Sequence, residues 1–206
     1  MVAGFRFLRS TPCHQDHQST STIAAQRLAH MNRNPIPAIA LAGLLGLPIL
    51  SSAAPSVQVG FSPEGSARQL VLDTITSART SIQILAYAFQ APDIAQALVD
   101  ARQRGVLVRI VVDKKRNTGK ASQAAMDLVV RNGIELRTND RFHIHHDKAM
   151  IVDGDAVETG SFNYAPSAET ANSENVVVIR GMPEVTQQYL QHWQSRWELG
   201  VPYPVR

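Results

Sequence analysis

The C-terminal three quarters of the chain alternate short apolar runs with longer segments whose apolar residues recur every three to four positions. A run such as 81–87 predicts a buried strand, because it is short, apolar and contains β-branched residues. The segment 93–104 predicts an amphipathic helix in which Ile94, Leu98 and Ala101 face the core. The alternation predicts strand–helix–strand units along most of this part of the chain.

The same patterns predict strands at 57–61, 106–112, 135–137, 148–152, 157–160 and 175–180, and helices at 63–78, 121–132 and 183–199. The first helix is expected to begin at Ser62-Pro63, since serine caps helices and proline is favoured at the first helical position. Tyr189, Trp193 and Trp197 recur every four residues, which is typical of a buried helix face. Together the elements predict an α/β fold with a mixed, partly parallel β-sheet flanked by helices on both faces.

The N-terminal quarter follows a different pattern. Residues 1–30 are polar without a helical or strand period, and we expect a disordered or untranslated extension. Residues 31–54 have a basic start, an apolar run interrupted by Pro48 and small residues up to Ala54, which predicts a secretory signal peptide. A retained membrane anchor is the alternative, although the run is short for a membrane span. The mature domain is expected to be 55–206, periplasmic or secreted, without stable membrane association.

The net positive charge of the chain lies in the segment that is expected to be removed. Residues 1–54 hold four arginines against one acidic residue, which equals the net charge of +3 of the whole chain and leaves the remainder neutral. Attraction to a polyanion then requires a local patch, and Lys114, Lys115 and Arg116 form a candidate nucleic-acid patch. A merely solvated face is the alternative for such a run. Cys13 is the only cysteine, so the mature domain contains no disulfide.

The densest polar chemistry lies where His146, Lys148 and Asp153 follow H-x-K-x-x-x-x-D spacing. Ser161 and Asn163 come next in a G-S-x-N sequence. Histidine can act as a nucleophile or a general acid near neutral pH, and a lysine ammonium can neutralise anionic oxygens. Hydroxyl and amide donors can hold the same oxygens. A phosphodiester needs all of these groups, so the set predicts phosphodiester chemistry.

Each residue of the set has an expected role. His146 and Lys148 should leave the same face of one strand, since they are two residues apart. Glu174 should accept the other ring N–H of His146 and fix its tautomer. Asp153 is assigned to ordering the motif, and His145 should face away as an ordinary polar or strand-edge histidine, with no metal or other cofactor expected. The predicted catalytic residues are His146, Lys148, Asp153 and Glu174, and the predicted phosphate-binding residues are Lys148, Ser161 and Asn163.

The H-x-K-x-x-x-x-D and G-S-x-N sequences together resemble the signature of the phospholipase D superfamily. Ala88 departs from the pattern of the superfamily's small bacterial endonucleases, in which serine is usual at this position. Other segments do resemble those endonucleases: Tyr87 and Phe89, 117–122, 158–163 and 192–197. The resemblance implies a phospholipase D-like fold for the mature domain.

A covalent exchange at phosphorus needs a nucleophile on one side and an acid on the other. The chain has a single motif, because no histidine other than His146 is followed by lysine two residues later. Two copies can meet across a twofold axis, which predicts a homodimer with one shared active site. The predicted function is a metal-independent, low-specificity endonuclease that acts on DNA or RNA through a phosphohistidine. A phospholipid-cleaving or phosphatidyl-transferring enzyme and a non-catalytic nucleic-acid-binding module stay open as alternatives.

Overall fold

The computed structural model describes residues 54–205, which contain eight strands and five helices. The strands are β1 (Ser56–Ser62), β2 (Ser81–Ala86), β3 (Leu107–Asp113), β4 (Glu135–Asn139), β5 (Lys148–Val152), β6 (Ala156–Gly160), β7 (Glu174–Arg180) and β8 (Val201–Pro202). The helices are α1 (Ser66–Ser77), α2 (Pro92–Gln103), α3 (Lys120–Arg131), α4 (Pro166–Thr170) and α5 (Pro183–Leu199). None of these five helices is long and apolar enough to cross a membrane.

All the strands belong to one sheet, in the order β1-β7-β6-β5-β2-β3-β4-β8. β2, β3 and β4 pair in parallel, and the other neighbouring strands pair antiparallel. The parallel pairs coincide with the crossover helices α2 and α3, because parallel neighbours need a long connection whereas antiparallel neighbours can be joined by a tight turn. The predicted mixed, partly parallel sheet is confirmed.

Helices cover both faces of the sheet, as predicted. Helices α1, α2 and α3 pack on one face, and α5 packs on the other. Neighbouring residues of β2 point to opposite faces, so Ile84 belongs to the larger core and Leu85 to the core under α5. Trp193 and Trp197 are buried in this second core, and the Trp193 Nε1–H donates a 3.2 Å hydrogen bond to the Ile84 carbonyl oxygen. The predicted buried role of these tryptophans is confirmed.

Some local boundaries differ from the predictions. β1 extends through Ser62, because the Ser62 backbone pairs with Glu174 of β7, so Ser62 does not cap a helix. α1 begins only at Ser66, after Gly65, whose φ of 91° lies in the left-handed region that favours glycine. The sequence pattern does not predict α4 or β8, because such short elements show too little periodicity to be recognised.

The expectations for the N-terminal quarter fall almost wholly outside the described residues. Neither the extension at 1–30 nor residues 31–53 of the predicted signal peptide at 31–54 are described, and Ala54 is the first described position. Ala54 and Pro55 are exposed and precede β1. The domain start at residue 55 therefore stays a prediction.

Candidate active site

Five of the predicted site residues lie at one end of the sheet. β2, β3 and β6 end there, and β5 and β7 begin there, as their pairing directions require. His146 precedes β5 and Lys148 opens it, while Glu174 opens β7. Ser161 and Asn163 follow β6. All five residues line one open pocket of about 420 Å³, so segments distant in the chain supply a single site.

His146 and Lys148 lie together at this pocket but not in one strand, because pairing of β5 with β2 begins only at Lys148. His146 is exposed, whereas Lys148 is only 8% exposed. The Lys148 ammonium donates a 2.8 Å hydrogen bond to the His146 carbonyl oxygen. Burial lowers the pKa of Lys148, and the charges of Asp147 and Glu174 oppose this effect. A partly desolvated ammonium beside an exposed imidazole suits an anionic substrate.

Tyr87 forms an aromatic wall of the site, a role that the sequence analysis missed. Its ring meets the His146 ring edge-on, with 4.5 Å between centroids. Lys148 Nζ lies 5.1 Å from the Tyr87 centroid. The Tyr87 main-chain N–H donates a 2.8 Å hydrogen bond to the Asp147 carbonyl oxygen, which fixes the end of β2 to the motif. The resemblance of this segment to the endonucleases is the sequence signal that could have identified it.

Ser161 and Asn163 are presented by the turn after β6. Gly160 approaches Asn175 so closely that a Cβ at Gly160 would collide with the Asn175 carbonyl oxygen. Ser161 Oγ accepts hydrogen bonds from the Asn175 main-chain N–H at 3.0 Å and from Asn175 Nδ2 at 3.3 Å. The Ser161 hydroxyl proton is then available to a substrate oxygen. Asn163 Oδ1 is buried without a hydrogen-bond partner among the described residues.

A buried hydrogen bond closes the same turn. Tyr164 Oη donates to Glu158 Oε2 at 2.6 Å, and both side chains are fully buried. Burial raises the pKa of Glu158 to about 8, while the hydrogen bond from Tyr164 acts to lower it. The carboxyl group is therefore neutral near pH 7. This bond joins the two ends of the turn that carries Ser161 and Asn163.

Glu174 lies in the site, but its described contacts differ from the expectation. Glu174 Oε1 accepts a 2.9 Å hydrogen bond from Asn172 Nδ2. Its negative charge acts on Lys148, whose pKa it raises. The predicted bond from the His146 ring to Glu174 is not among the hydrogen bonds of residues 54–205, so that role stays a prediction.

Asp153 lies at the opposite end of β5 from the pocket. Its Oδ2 accepts from the Arg79 main-chain N–H at 2.9 Å, and its Oδ1 accepts from the Thr80 N–H and hydroxyl and from the Ser81 N–H at 2.7–2.9 Å. Burial raises the pKa of the Asp153 carboxyl, but the hydrogen bonds from Ser81, Thr80 and Arg79 outweigh it and hold the pKa below its ordinary value. This geometry supports the predicted ordering role.

His145 is buried, so the expectation of an ordinary polar or strand-edge histidine is wrong. It is 2% exposed, and its main-chain N–H donates a 2.9 Å hydrogen bond to Asp113 Oδ2. Its Nδ1 lies 3.5 Å from Asp147 Oδ2, while His192 Nε2 lies 3.2 Å from Asp147 Oδ1. Burial lowers the pKa of His145, and the charges of Asp147 and Asp113 oppose this. His145 precedes β5, so the alternation of side chains along a strand does not apply to it.

The candidate basic patch divides into two parts. Lys114 Nζ pairs with Asp140 Oδ2 at 2.7 Å, which neutralises its charge locally. Lys115 and Arg116 are exposed, and neither has a carboxylate partner among the ion pairs of residues 54–205. Arg116 Cζ lies 5.8 Å from the centroid of the Tyr87 ring, which contacts the ring of His146 in the pocket. In the same part of the chain, no group of three or more His, Cys, Asp or Glu side chains is arranged to hold a metal ion.

Comparisons with protein families and with known proteins agree on the family of this chain. Residues 71–197 match a family model described as cardiolipin synthase, PLD-like domain. A phospholipase D of Rickettsia bellii is 37% identical over 140 residues, which are 68% of this chain and 68% of that protein. A mitochondrial cardiolipin hydrolase of Danio rerio is 31% identical over 134 residues, which are 64% of this chain and 57% of that protein.

Among solved structures, the chain is similar to Nuc from Salmonella typhimurium, a phospholipase D family member. The TM-score is 0.72 at 59% identity, over 72% of this chain and 98% of Nuc. The family model, the relatives and this structure indicate the same family. The chain therefore belongs to the phospholipase D superfamily and is, like the members of that family, a phosphodiesterase.

Proposed function

We propose that the chain is a metal-independent endonuclease of low sequence specificity that hydrolyses phosphodiester bonds of DNA or RNA. The setting of His146 carries the proposal. Its exposed ring lies at an open pocket, with the Lys148 ammonium and the Arg116 guanidinium near the same Tyr87 ring. An open pocket with one cation in its lining and a second beside the neighbouring Tyr87 ring suits a long polyanion.

The proposed reaction has two steps. In the first, one His146 attacks phosphorus and forms a P–N bond, while the P–O bond to the leaving group breaks and the His146 of the partner protonates the leaving oxygen. In the second, that partner histidine takes a proton from water, which attacks phosphorus and breaks the P–N bond. Lys148, Ser161 and Asn163 stabilise the negative charge on the nonbridging oxygens in both steps.

The reaction requires two copies of the motif, so we propose a homodimer with one shared site. An exposed apolar strip supports this proposal. Val57, Val59 and Phe61 of β1 are 56%, 59% and 51% exposed, respectively. Phe61 pairs with Asn175, next to Glu174 in the pocket, so the strip begins at the site. Covering the strip with a second copy removes apolar surface from water beside the reacting groups.

Mixing wild-type and His146→Asn protomers tests the shared site. Random pairing of equal amounts leaves about a quarter of the dimers with two intact histidines, so DNase activity should fall to about a quarter of that of the same total wild-type protein. Two independent sites would retain about half. Doubly tagged mixed dimers should lack DNase activity, and full activity in that species, or an active monomer, would contradict the shared site.

Phospholipid cleavage or phosphatidyl transfer is the second candidate, favoured by the names of the Rickettsia bellii and Danio rerio relatives. The reaction at phosphorus would be the same, with a lipid phosphodiester as substrate. Purified domain should be incubated in EDTA with plasmid DNA, RNA and labelled phospholipid vesicles. We expect nucleic acid to be cut and chelator to have no effect, because Lys148 and Asn163 take the place of a metal ion. Cleavage of lipid alone, or a requirement for added metal, would contradict the proposal.

The enzyme is proposed to be exported from the cytoplasm. A signal peptide at 31–54 would deliver the enzyme to the periplasm or the medium, where exogenous nucleic acid is met. Mass spectrometry of the protein from its natural host should find an N-terminus near Pro55. A full-length form confined to the cytoplasm would contradict this localisation.

A further inference from the structure

Arg116 lies beside the reacting group rather than in a general surface patch. Its guanidinium carbon is 5.8 Å from the Tyr87 ring centroid, and Lys148 Nζ is 5.1 Å from the same centroid. The two cations therefore lie no farther apart than the sum of these distances. Because neighbouring phosphates of a nucleic-acid strand lie roughly 6–7 Å apart, Arg116 is within one or two phosphates of a phosphate held at Lys148.

Two buried side chains hold Arg116 in this position. Asp113 Oδ1 accepts from the Arg116 main-chain N–H at 2.6 Å, and Asp113 Oδ2 accepts from the His145 N–H at 2.9 Å. Asn117 Nδ2 donates to the Tyr87 carbonyl oxygen at 2.8 Å. Asp113 and Asn117 are each 3% exposed. The backbones of Arg116, Tyr87 and His145 are thus held by hydrogen bonds to two buried side chains.

The charge of Arg116 is available to a ligand. The side chain is exposed and has no carboxylate partner among the described ion pairs, whereas Lys114, two residues earlier, is paired with Asp140. A guanidinium presents several N–H donors in one plane and can bind a phosphate with two parallel hydrogen bonds. The Tyr87 ring beneath it is a cation–π partner that holds the guanidinium near the His146 ring.

We propose that Arg116 and Tyr87 form a second phosphate subsite, which binds a phosphodiester adjacent to the scissile one. The enzyme would thereby select a polynucleotide chain over a substrate with a single phosphodiester. This inference rests on the proposed nuclease function and deepens it. Binding through one guanidinium reads no base edge, which agrees with low sequence specificity.

A binding experiment in an inactive background tests the subsite. His146→Asn protein is titrated with a fluorescein-labelled single-stranded DNA of twelve nucleotides in EDTA, and anisotropy is followed from low to high salt. Adding Arg116→Ala should weaken binding about tenfold at low salt and make the slope of log K against log salt shallower by roughly 0.7, the value for one phosphate contact of a single strand.

Arg79→Ala is the matched control. Arg79 is also exposed but precedes β2 at the opposite end of the sheet, and its bond to Asp153 comes from the main-chain N–H, which alanine keeps. The control removes the same charge from the chain and should leave affinity and salt slope close to those of His146→Asn alone. Equal losses in the two arginine variants would mean a general charge effect and would overturn the subsite.

Activity on two substrates separates failure of the subsite from failure of the function. For an active enzyme, Arg116→Ala should lower kcat/KM for the oligonucleotide about tenfold more than kcat/KM for bis(p-nitrophenyl) phosphate, which has a single phosphodiester. Equal losses on both substrates would reject the subsite and leave the nuclease proposal standing. A wild-type enzyme that cuts phospholipid vesicles but no oligonucleotide would instead reject the nuclease proposal.

Discussion

At one end of β5, Lys148 is buried, its pKa is lowered, and it lies beside an exposed His146. At the other end, Asp153 accepts four hydrogen bonds and its pKa is held low by them. The three residues belong to one sequence motif, yet only the first two line the pocket. At the first end, Lys148 and His146 are placed to bind an anion. At the second end, the Asp153 carboxylate already has its hydrogen-bond donors. A compact motif can therefore combine residues that line a pocket with a residue that holds two chain segments together.

The largest expected effect is at the pocket end. His146→Ala and Lys148→Ala should each lower kcat/KM on DNA by at least roughly a thousandfold, because they remove the proposed nucleophile and the charge proposed to stabilise the transition state. Thermal unfolding should show that both variants stay folded. An active His146→Ala protein would assign the nucleophile to another residue.

A substitution at the Asp153 end of β5 should change the stability of the protein rather than its turnover. Asp153→Ala leaves four donors without their acceptor and should lower the free energy of unfolding by about 2–4 kcal/mol, with turnover per folded molecule nearly unchanged. Because the folded pKa is lowered, the stabilisation is present above the unfolded value of 3.8 and is lost as pH falls below it.

For Asp153→Ala, urea denaturation measures the free energy of unfolding, and active-site titration measures the turnover per folded molecule. Asp155→Ala is a matched control, since Asp155 is exposed and its described hydrogen bonds are made by main-chain atoms. A turnover loss for Asp153→Ala as large as that for Lys148→Ala would remove the distinction between the two ends.

The turn that presents Ser161 and Asn163 offers a pH test. The folded pKa of Glu158 is about 8 against 4.5 ordinarily, so wild-type stability should fall as pH rises from 4.5 to 8, by up to about 1.4 kcal/mol per pH unit. Glu158→Gln keeps an acceptor for Tyr164 and removes the titration, so its stability should be flatter over that range. Chemical denaturation from pH 5 to 8 measures both, and parallel curves would show that Glu158 does not titrate in this way.

The smallest expected effect concerns His145, behind the pocket. Burial lowers its pKa, so protonation of this ring is less favourable in the folded protein than in the unfolded chain, where the pKa is near 6.5. Stability from this residue is present above pH 6.5 and is lost as pH falls through the lower folded pKa, by less than about 1.4 kcal/mol per pH unit. His145→Leu should flatten the unfolding free energy between pH 5 and 6.5. An unchanged slope would mean that other groups dominate this range.

Local pattern was sufficient for most of the fold because strand and helix periods are properties of neighbouring residues. The face of α2 formed by Ile94, Leu98 and Ala101 is buried as predicted. The start of α1 was not predictable in this way. Pairing of Ser62 with Glu174, which lies more than a hundred positions away, continued the strand past a local helix signal.

The sequence by itself determined the chemical class of this protein, since the spacing of His146, Lys148, Ser161 and Asn163 predicts a phosphodiesterase, and the family membership confirms that class. Tertiary structure decided which polar groups support that chemistry. The bond from His145 to Asp113 joins residues 32 positions apart, and the bond from Phe89 to Asn117 joins residues 28 apart. Such contacts depend on which strands become neighbours in the sheet, and a pattern of adjacent residues contains no information about that. The burial of His145 and the placement of Arg116 against Tyr87 follow from the same strand order.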